Sequence, residues 1–338
     1  MKLKIGLLGA GRFGIFHLAG YAKNKNCEIV SVASRTEESA KYAAEKFNIP
    51  YVYWGDSWKT MLEEQELDAV SICSPNYLHG PMTITALENN CNVLCEKPIA
   101  ISLDELDKIE SLLDAKKLIY FSSFQKRYLE VSPIIKKLVQ EKVLGELYLV
   151  RYFFGHYGPY TSYQPMSKQK WFINSKLAGG GVLLDLGVHC IDLLRYLIGE
   201  FKSIEGYNAN SVCKGTDDED VCNVLFRFEE NILGIISVSW CSEPMEIIEF
   251  FGSEGTLKVD LQSKEPFNVT PSKLRKSPIL KEALKADFNT DSISQHKLID
   301  HFIDCVINKK QEEPNFNDGK RAVEFVLEAY KLKSNKNK

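Results

Sequence analysis

Over the first hundred and twenty residues, short apolar runs alternate with amphipathic stretches. Lys2–Leu8, Glu28–Ala33, Tyr51–Tyr53, Ala69–Cys73 and Asn92–Cys95 read as strands. Between them, Thr36–Phe47, Ser57–Glu64 and Pro81–Asn89 carry apolar residues at helical spacing, and another helix follows from Ser102. Strands separated by helices of about ten residues predict a parallel sheet with right-handed crossovers. After Phe121 the pattern changes. A helix at Ser132–Val143 and an alternating strand at Glu146–Phe154 lead into an irregular, aromatic-rich segment, Gly155–Ala178. Long loops of that kind are often binding loops. An apolar helix around Asp185 comes next, then strands at Ile204–Ser211, Val221–Phe228, Ile232–Trp240, Met245–Phe251 and Thr256–Asp260. Their short turns predict an antiparallel meander, with helices on one face and the other face open. Gln262–Thr290 shows no period and reads as a surface excursion; helices at Ser294–Val306 and Gly319–Leu332 finish the chain.

The expected fold is α/β, with a doubly wound parallel sheet in residues 1–122. An α+β domain with a large open, mostly antiparallel sheet occupies 123–338, its last helix packing back on the first domain. A length of 338 residues fits two domains. A net charge of −3 without a long basic run argues against nucleic acid as the main partner. Nine cysteines without a Cys-x-x-Cys pair read as reduced apolar fillers in a cytoplasmic protein. The N-terminus enters a strand directly, without signal-peptide architecture, and no apolar run is expected to span a membrane.

The first strand runs into Gly9-Ala10-Gly11-Arg12-Phe13-Gly14 with a helix after it. Strand, glycine turn and helix together form a Rossmann dinucleotide fingerprint. Gly9 serves the tight turn, Gly11 the approach of a pyrophosphate, and Gly14 the packing of helix on strand. The helix start offers free N–H groups to the phosphates. Where such folds usually carry an acid for the ribose 2′-hydroxyl, this chain has Ser34-Arg35. Arginine suits a 2′-phosphate, so NADP is favoured over NAD. Asn76 and His79 fall at the next carboxyl edge and are candidates for the nicotinamide ribose. Glu96-Lys97-Pro98 ends the strand after that, with a cis Lys97–Pro98 bond expected; Glu96 is read as fixing the turn or pairing with Lys97.

Gly9-Ala10-Gly11-Arg12-Phe13-Gly14, Ser74-Pro75-Asn76, Glu96-Lys97-Pro98 and Gly179-Gly180-Gly181 through Asp185, His189 and Asp192 occur in that order. In this the chain resembles the glucose–fructose oxidoreductase, inositol dehydrogenase and rhizopine-catabolism (Gfo/Idh/MocA) family over almost its whole length. The resemblance implies an NAD(P)-dependent oxidoreductase of sugars, cyclitols and related polyols, assembled as a homodimer or homotetramer through the open sheet. Lys97 matches the family's catalytic lysine, and Asp185 and His189 its second motif. Arg127 and Trp171 match residues often present at the substrate, while Phe172 stands where an arginine is frequent. Ser74 and Pro75 join the cofactor set with Arg12, Phe13 and Glu96.

Asp185 and His189, four apart on a helix, share a face. No third ligand at recognisable spacing accompanies them, so no metal is expected. The expected reaction is hydride transfer between nicotinamide C4 and a carbon bearing a secondary hydroxyl. His189 is the candidate base, Asp185 its orienter, and Lys97 the donor to the substrate oxygen; a Lys97 that itself moves the proton is the alternative division. Rival readings are a redox-assisted glycosidase with tightly held NAD and a non-catalytic dinucleotide sensor.

Overall fold

The computed structural model describes residues 2–161, 171–212, 218–286 and 293–335, together with Thr216 and Phe288. Tyr163, one of the aromatics of the irregular segment, lies outside these residues. The chain divides into two compact units: Met1–Gln125 with Leu177–Gly179 and Ser292–Val323, and Lys126–Lys176 with Gly180–Asp291 and Glu324–Lys338. The first unit thus takes in segments that chain order alone assigns to the second domain.

In the first unit the strands are β1 (Leu3–Leu8), β2 (Cys27–Ser34), β3 (Tyr51–Trp54), β4 (Ala69–Ile72), β5 (Asn92–Cys95) and β6 (Tyr120–Ser122). They pair in parallel in the order β3-β2-β1-β4-β5-β6. The crossovers are helices α1 (Arg12–Tyr21), α2 (Glu37–Phe47), α3 (Trp58–Glu64), α4 (Asn76–Glu88) and α5 (Leu103–Lys116). Local chemistry sets their ends. The Thr36 hydroxyl accepts from the Ser39 N–H to start α2, and that of Ser102 from the Glu105 N–H to start α5. Strand residues such as Ile5, Leu7, Val32, Val70 and Val93 are wholly buried, as a sheet covered on both faces requires. Strand order reverses between β1 and β4, which makes the carboxyl edge there the ligand crevice of this class of sheet. Helix α4 begins five residues before the expected Pro81, which lies inside it. Pro75 ends the preceding loop in extended backbone, so the helix can start at Asn76.

The second unit is built from α6 (Val131–Gln140), β7 (Leu147–Gly155) and two short turns of helix, α7 (Gly158–Thr161) and α8 (Ser175–Ala178), the last residues of α8 counting with the first unit. Helix α9 (Val188–Leu197) follows, then β8 (Phe201–Asn210), β9 (Val221–Phe228), β10 (Leu233–Ser239), β11 (Met245–Gly252), β12 (Gly255–Asp260) and β13 (Phe267–Thr270). Helices α10 (Pro278–Ala283), α11 (Ile293–Asn308) and α12 (Phe316–Asn335) complete the chain. The sheet order is β13-β12-β11-β7-β10-β9-β8. It departs from the expected meander in one respect: β7 lies between β10 and β11, parallel to the first and antiparallel to the second. The Gln262–Thr290 excursion is likewise more ordered than its sequence suggests, holding β13, a 3₁₀ turn at Ser272–Lys276 and α10.

Period-two burial separates the faces of this sheet. Val150, Tyr152, Val224, Phe226, Ile236, Ile248 and Phe250 are inside. On the other face Leu225 pairs across to Ile235 and Phe153 to Ile247, two apolar pairs flanked by the Arg151–Glu249 ion pair. Contrary to expectation, one helical run, Ser175–Leu197, is long and apolar enough to cross a membrane. It is 89% buried inside the protein, so its apolar character is that of a core helix.

Candidate active site

The β1–α1 turn is shaped by its glycines. Gly9 has φ +106°, and a side chain there would meet the Cys73 carbonyl carbon at 2.6 Å. A side chain on Gly14 would sit 2.0 Å from the Gly9 carbonyl oxygen, so only glycine lets α1 start this close to β1. Above Gly11 there is open space. The first N–H groups of α1 lack partners within the helix and face outward with its positive dipole end. Arg12 lies over the Phe16 ring at 5.9 Å, and Phe13 packs edge-on to Phe16 with both rings about two-fifths exposed. At the next edge, Ser74 Oγ is buried with no hydrogen-bond partner among the described residues. An open cradle at Gly11 and an orphan hydroxyl at Ser74 fit a bound dinucleotide. Ser34 closes β2, and Arg35 is exposed in the loop before α2.

Three residues proposed for the cofactor are turned inward instead. His79 is buried, with Nδ1 2.7 Å from the Pro98 carbonyl and Nε2 2.7 Å from the Ser74 carbonyl. Burial lowers its pKa while those two carbonyls oppose the shift. Both nitrogens thus face protein carbonyls and not a ribose; a neutral ring donates to one of the two and a protonated ring to both. Asn76 donates its amide to the Ala178 carbonyl at 2.8 Å. Glu96 is buried, and its Oε1 accepts from Ser123 at 2.8 Å and meets His17 Nε2 at 2.9 Å. Its Oε2 accepts the Lys97 backbone N–H at 3.3 Å. Burial pushes this carboxyl up, but His17, Ser123 and the Lys97 charge outweigh it and hold it below the usual carboxylate range. His17 of α1 and Ser123, just beyond β6, therefore hold Glu96 in place. The Lys97–Pro98 bond is cis, as expected.

In the second unit, Asp185 lies within a π-helical turn, Leu183–Gly187, that runs into α9. Such turns widen a helix and are frequent at functional sites. Asp185 and His189 are both buried, at 7% and 6% exposure, where ordinary surface acids and histidines are not. The Trp240 indole N–H donates to Asp185 Oδ2 at 3.0 Å. The Phe172 ring lies tilted against Trp240, centroids 5.5 Å apart, and Trp171 meets Phe172 edge-on at 5.0 Å. Phe172, where an arginine is frequent, is thus part of an aromatic wall leading from Trp171 to Asp185. Gly158, at φ +47°, sits against Trp240 so closely that a side chain would meet its ring at 2.5 Å. His189 packs edge-on against Phe154, centroids 6.4 Å apart, and the Lys126 ammonium lies over the same ring at 4.0 Å. Lys126 also pairs with buried Glu246, which accepts from the Tyr152 hydroxyl at 2.5 Å.

Arg127 takes a different part from the one expected. Its Nη2 and Nε bond Asp192 at 2.6 and 3.0 Å, both residues are buried, and the guanidinium lies 5.2 Å from the Tyr196 ring centre. It braces α9 rather than reaching substrate. Trp240 and Lys126 are the site residues that the sequence reading missed. A buried tryptophan needs an acceptor for its N–H, which was the available signal for the first; adjacency to Arg127 was the only one for the second. Away from these groups, His301, Cys305 and Glu312 come together with ligand atoms within 4.8 Å, and Glu312 already pairs with Lys310.

Comparison with known proteins identifies the family. Residues 3–124 match the family described as oxidoreductase, NAD-binding Rossmann fold, and residues 134–258 match the GFO/IDH/MocA C-terminal domain. The chain belongs to the Gfo/Idh/MocA oxidoreductase family. It is similar to levoglucosan dehydrogenase of Pseudarthrobacter phenanthrenivorans, 24% identical over 79% of this chain and 76% of the relative. Glucose-6-phosphate 3-dehydrogenase of Bacillus subtilis is 27% identical over 97% of this chain and 95% of that one. A solved levoglucosan dehydrogenase, in complex with NADH and levoglucosan, shares the fold with a TM-score of 0.82 at 22% identity, covering 99% and 98% of the two chains. As a member of the Gfo/Idh/MocA family, the protein is an NAD(P)-dependent oxidoreductase with a Rossmann cofactor domain.

Proposed function

We propose that the enzyme transfers hydride between a nicotinamide and the carbon of a secondary hydroxyl on a sugar, sugar derivative or cyclitol. The observation that carries this reading is the dinucleotide-shaped β1–α1 turn in the same unit as Lys97, two residues beyond the end of β5. The sugar and cyclitol relatives supply the substrate class. The bound nicotinamide supplies the hydride acceptor in the oxidative direction. His189 takes the hydroxyl proton, Asp185 orients it or a neighbouring hydroxyl, and the Lys97 ammonium donates to the oxygen as alkoxide character develops. The Trp171–Phe172–Trp240 wall offers flat faces for a sugar ring.

Arg35, exposed at the end of β2, supports NADP over NAD. The apolar pairs on the open face of the second unit's sheet support a homodimer or homotetramer. Every described cysteine is a free thiol, in keeping with a cytoplasmic site. The test is a screen of sugars, nucleotide sugars and cyclitols by NAD(P)H absorbance, with both cofactors. Reduction of NADP with at least one polyol is expected. Aglycone release from nitrophenyl glycosides without net cofactor reduction would point to the glycosidase instead, and a strong NAD preference would remove the assignment of Arg35.

A further inference from the structure

Behind Glu96 runs a line of buried polar groups that the reaction above does not use. The Tyr21 hydroxyl lies 2.6 Å from Ser71 Oγ, which lies 3.0 Å from His17 Nδ1. His17 Nε2 then lies 2.9 Å from Glu96 Oε1, the oxygen that also accepts from Ser123. His17, Ser71 and Ser123 have no solvent exposure and Tyr21 has 1%. Donor chemistry gives the line a direction. Burial pushes the Tyr21 phenol far up, so it keeps its proton and donates to Ser71. Ser71 in turn donates to Nδ1, which leaves His17 with an Nε2–H for Glu96. The Gln295 side-chain nitrogen also lies 2.9 Å from Nε2 but, being itself a donor, makes no bond to an Nε2–H; it donates to Ser123 Oγ at 3.3 Å. The other ionisable groups that bear on Glu96 are Lys97, His79 and the thiols of Cys73 and Cys95, both pushed up by burial and so neutral.

We propose that His17 is a positioning residue for Lys97, acting through Glu96. The ring holds the carboxylate in place; the carboxylate, through its bond to the Lys97 N–H, fixes the backbone from which the lysine side chain leaves. This rests on the assignment of Lys97 to the reaction. A group one shell removed from the chemistry typically changes activity by 10- to 100-fold when lost.

The experiment compares wild type with His17→Ala, His17→Gln, Glu96→Gln and Lys97→Ala. Turnover is followed with D-glucose 6-phosphate, levoglucosan and myo-inositol, and the Glu96 carboxyl is titrated by ¹³C NMR. His17→Ala should lose about 10- to 100-fold in kcat with cofactor Kd near wild type, and its Glu96 midpoint should rise. Glu96→Gln should show the same loss of kcat. His17→Gln, which keeps an N–H donor near Nε2, should recover most of it and serves where the alanine variant does not fold. A wild-type kcat in His17→Ala, an unmoved Glu96 midpoint, or a change confined to thermal stability overturns the proposal. An inactive Lys97→Ala beside a fully active His17→Ala sinks this inference alone; a fully active Lys97→Ala sinks the reading beneath it as well. If none of the three sugars turns over, the Glu96 midpoint decides.

Discussion

A lysine, an arginine and a glutamate show how differently charge is used in this fold. Lys97 carries the proposed chemistry, and Lys97→Ala should lower kcat by about 100-fold or more while cofactor Kd, from fluorescence titration, stays near wild type. Arg127 is placed for structure. Arg127→Ala leaves Asp192 charged and buried, so urea unfolding should show a loss of about 3–5 kcal/mol, with KM for the sugar little changed in the folded fraction. A large rise in KM without loss of stability would restore Arg127 to the substrate. Glu96 links stability to pH. Its folded pKa lies below the ordinary glutamate value. Its contribution is therefore full above about pH 4.3, the unfolded value, and fades as pH falls through the folded one. The stability difference between wild type and Glu96→Gln should shrink on acidification through that window; a gap constant down to pH 3 would show that the carboxylate is not specially held.

Among the elements, most were legible from pattern, and the failures share one cause. The glycine turn, five of the six parallel strands and helices such as α2 and α5 are local: propensity, caps and period agree at each of them, whereas β6, only Tyr120–Ser122, is too short to show a pattern. The β7 insertion is not local, because which strands pair is decided by the whole sheet and not by any one run. Arg127 and His79 take parts other than those expected for the same reason, while Glu96 fixes the turn, one of the parts read for it, with a remote partner. The partners, respectively Asp192, the Pro98 carbonyl and His17, lie 19 to 79 residues away. The steric readings of Gly9 and Gly14 hold because a side chain on either would meet backbone, that of Cys73 and of Gly9 respectively. The π-turn at Leu183–Gly187 had no sequence signature, yet it sets where Asp185 points. Trp240→Phe removes the N–H that holds Asp185 there while preserving the packing on Phe172. A fall in kcat of about tenfold, with the fold intact by circular dichroism, is the expected result; unchanged kcat would show that Asp185 needs no such support.

For the molecule as a whole, the sheet of the second unit carries a prediction about assembly. Its outward residues include two apolar pairs, Leu225 with Ile235 and Phe153 with Ile247, spread over four strands. A charge placed in the middle of an apolar contact between subunits is left without solvent or partner. Ile235→Lys should therefore shift the protein to monomer in analytical ultracentrifugation. A monomeric wild type, or an oligomer indifferent to that lysine, would mean that this face is not the interface.

The first unit's dependence on residues Ser292–Val323 bears on the order in which the chain acquires structure. Helix α11 covers α1, with Ile299 packed where any side chain on Gly20 would stand and Asp300 bonded to Asn24. A ribosome releases the six strands and the glycine loop long before it releases this cover. During synthesis the nascent Rossmann half thus waits with one helix face bare, and contacts of such long sequence separation form slowly. A chain cut after residue 291 retains every strand and every glycine of the nucleotide fingerprint and would still be expected to aggregate, because what it lacks is the lid of its own first domain.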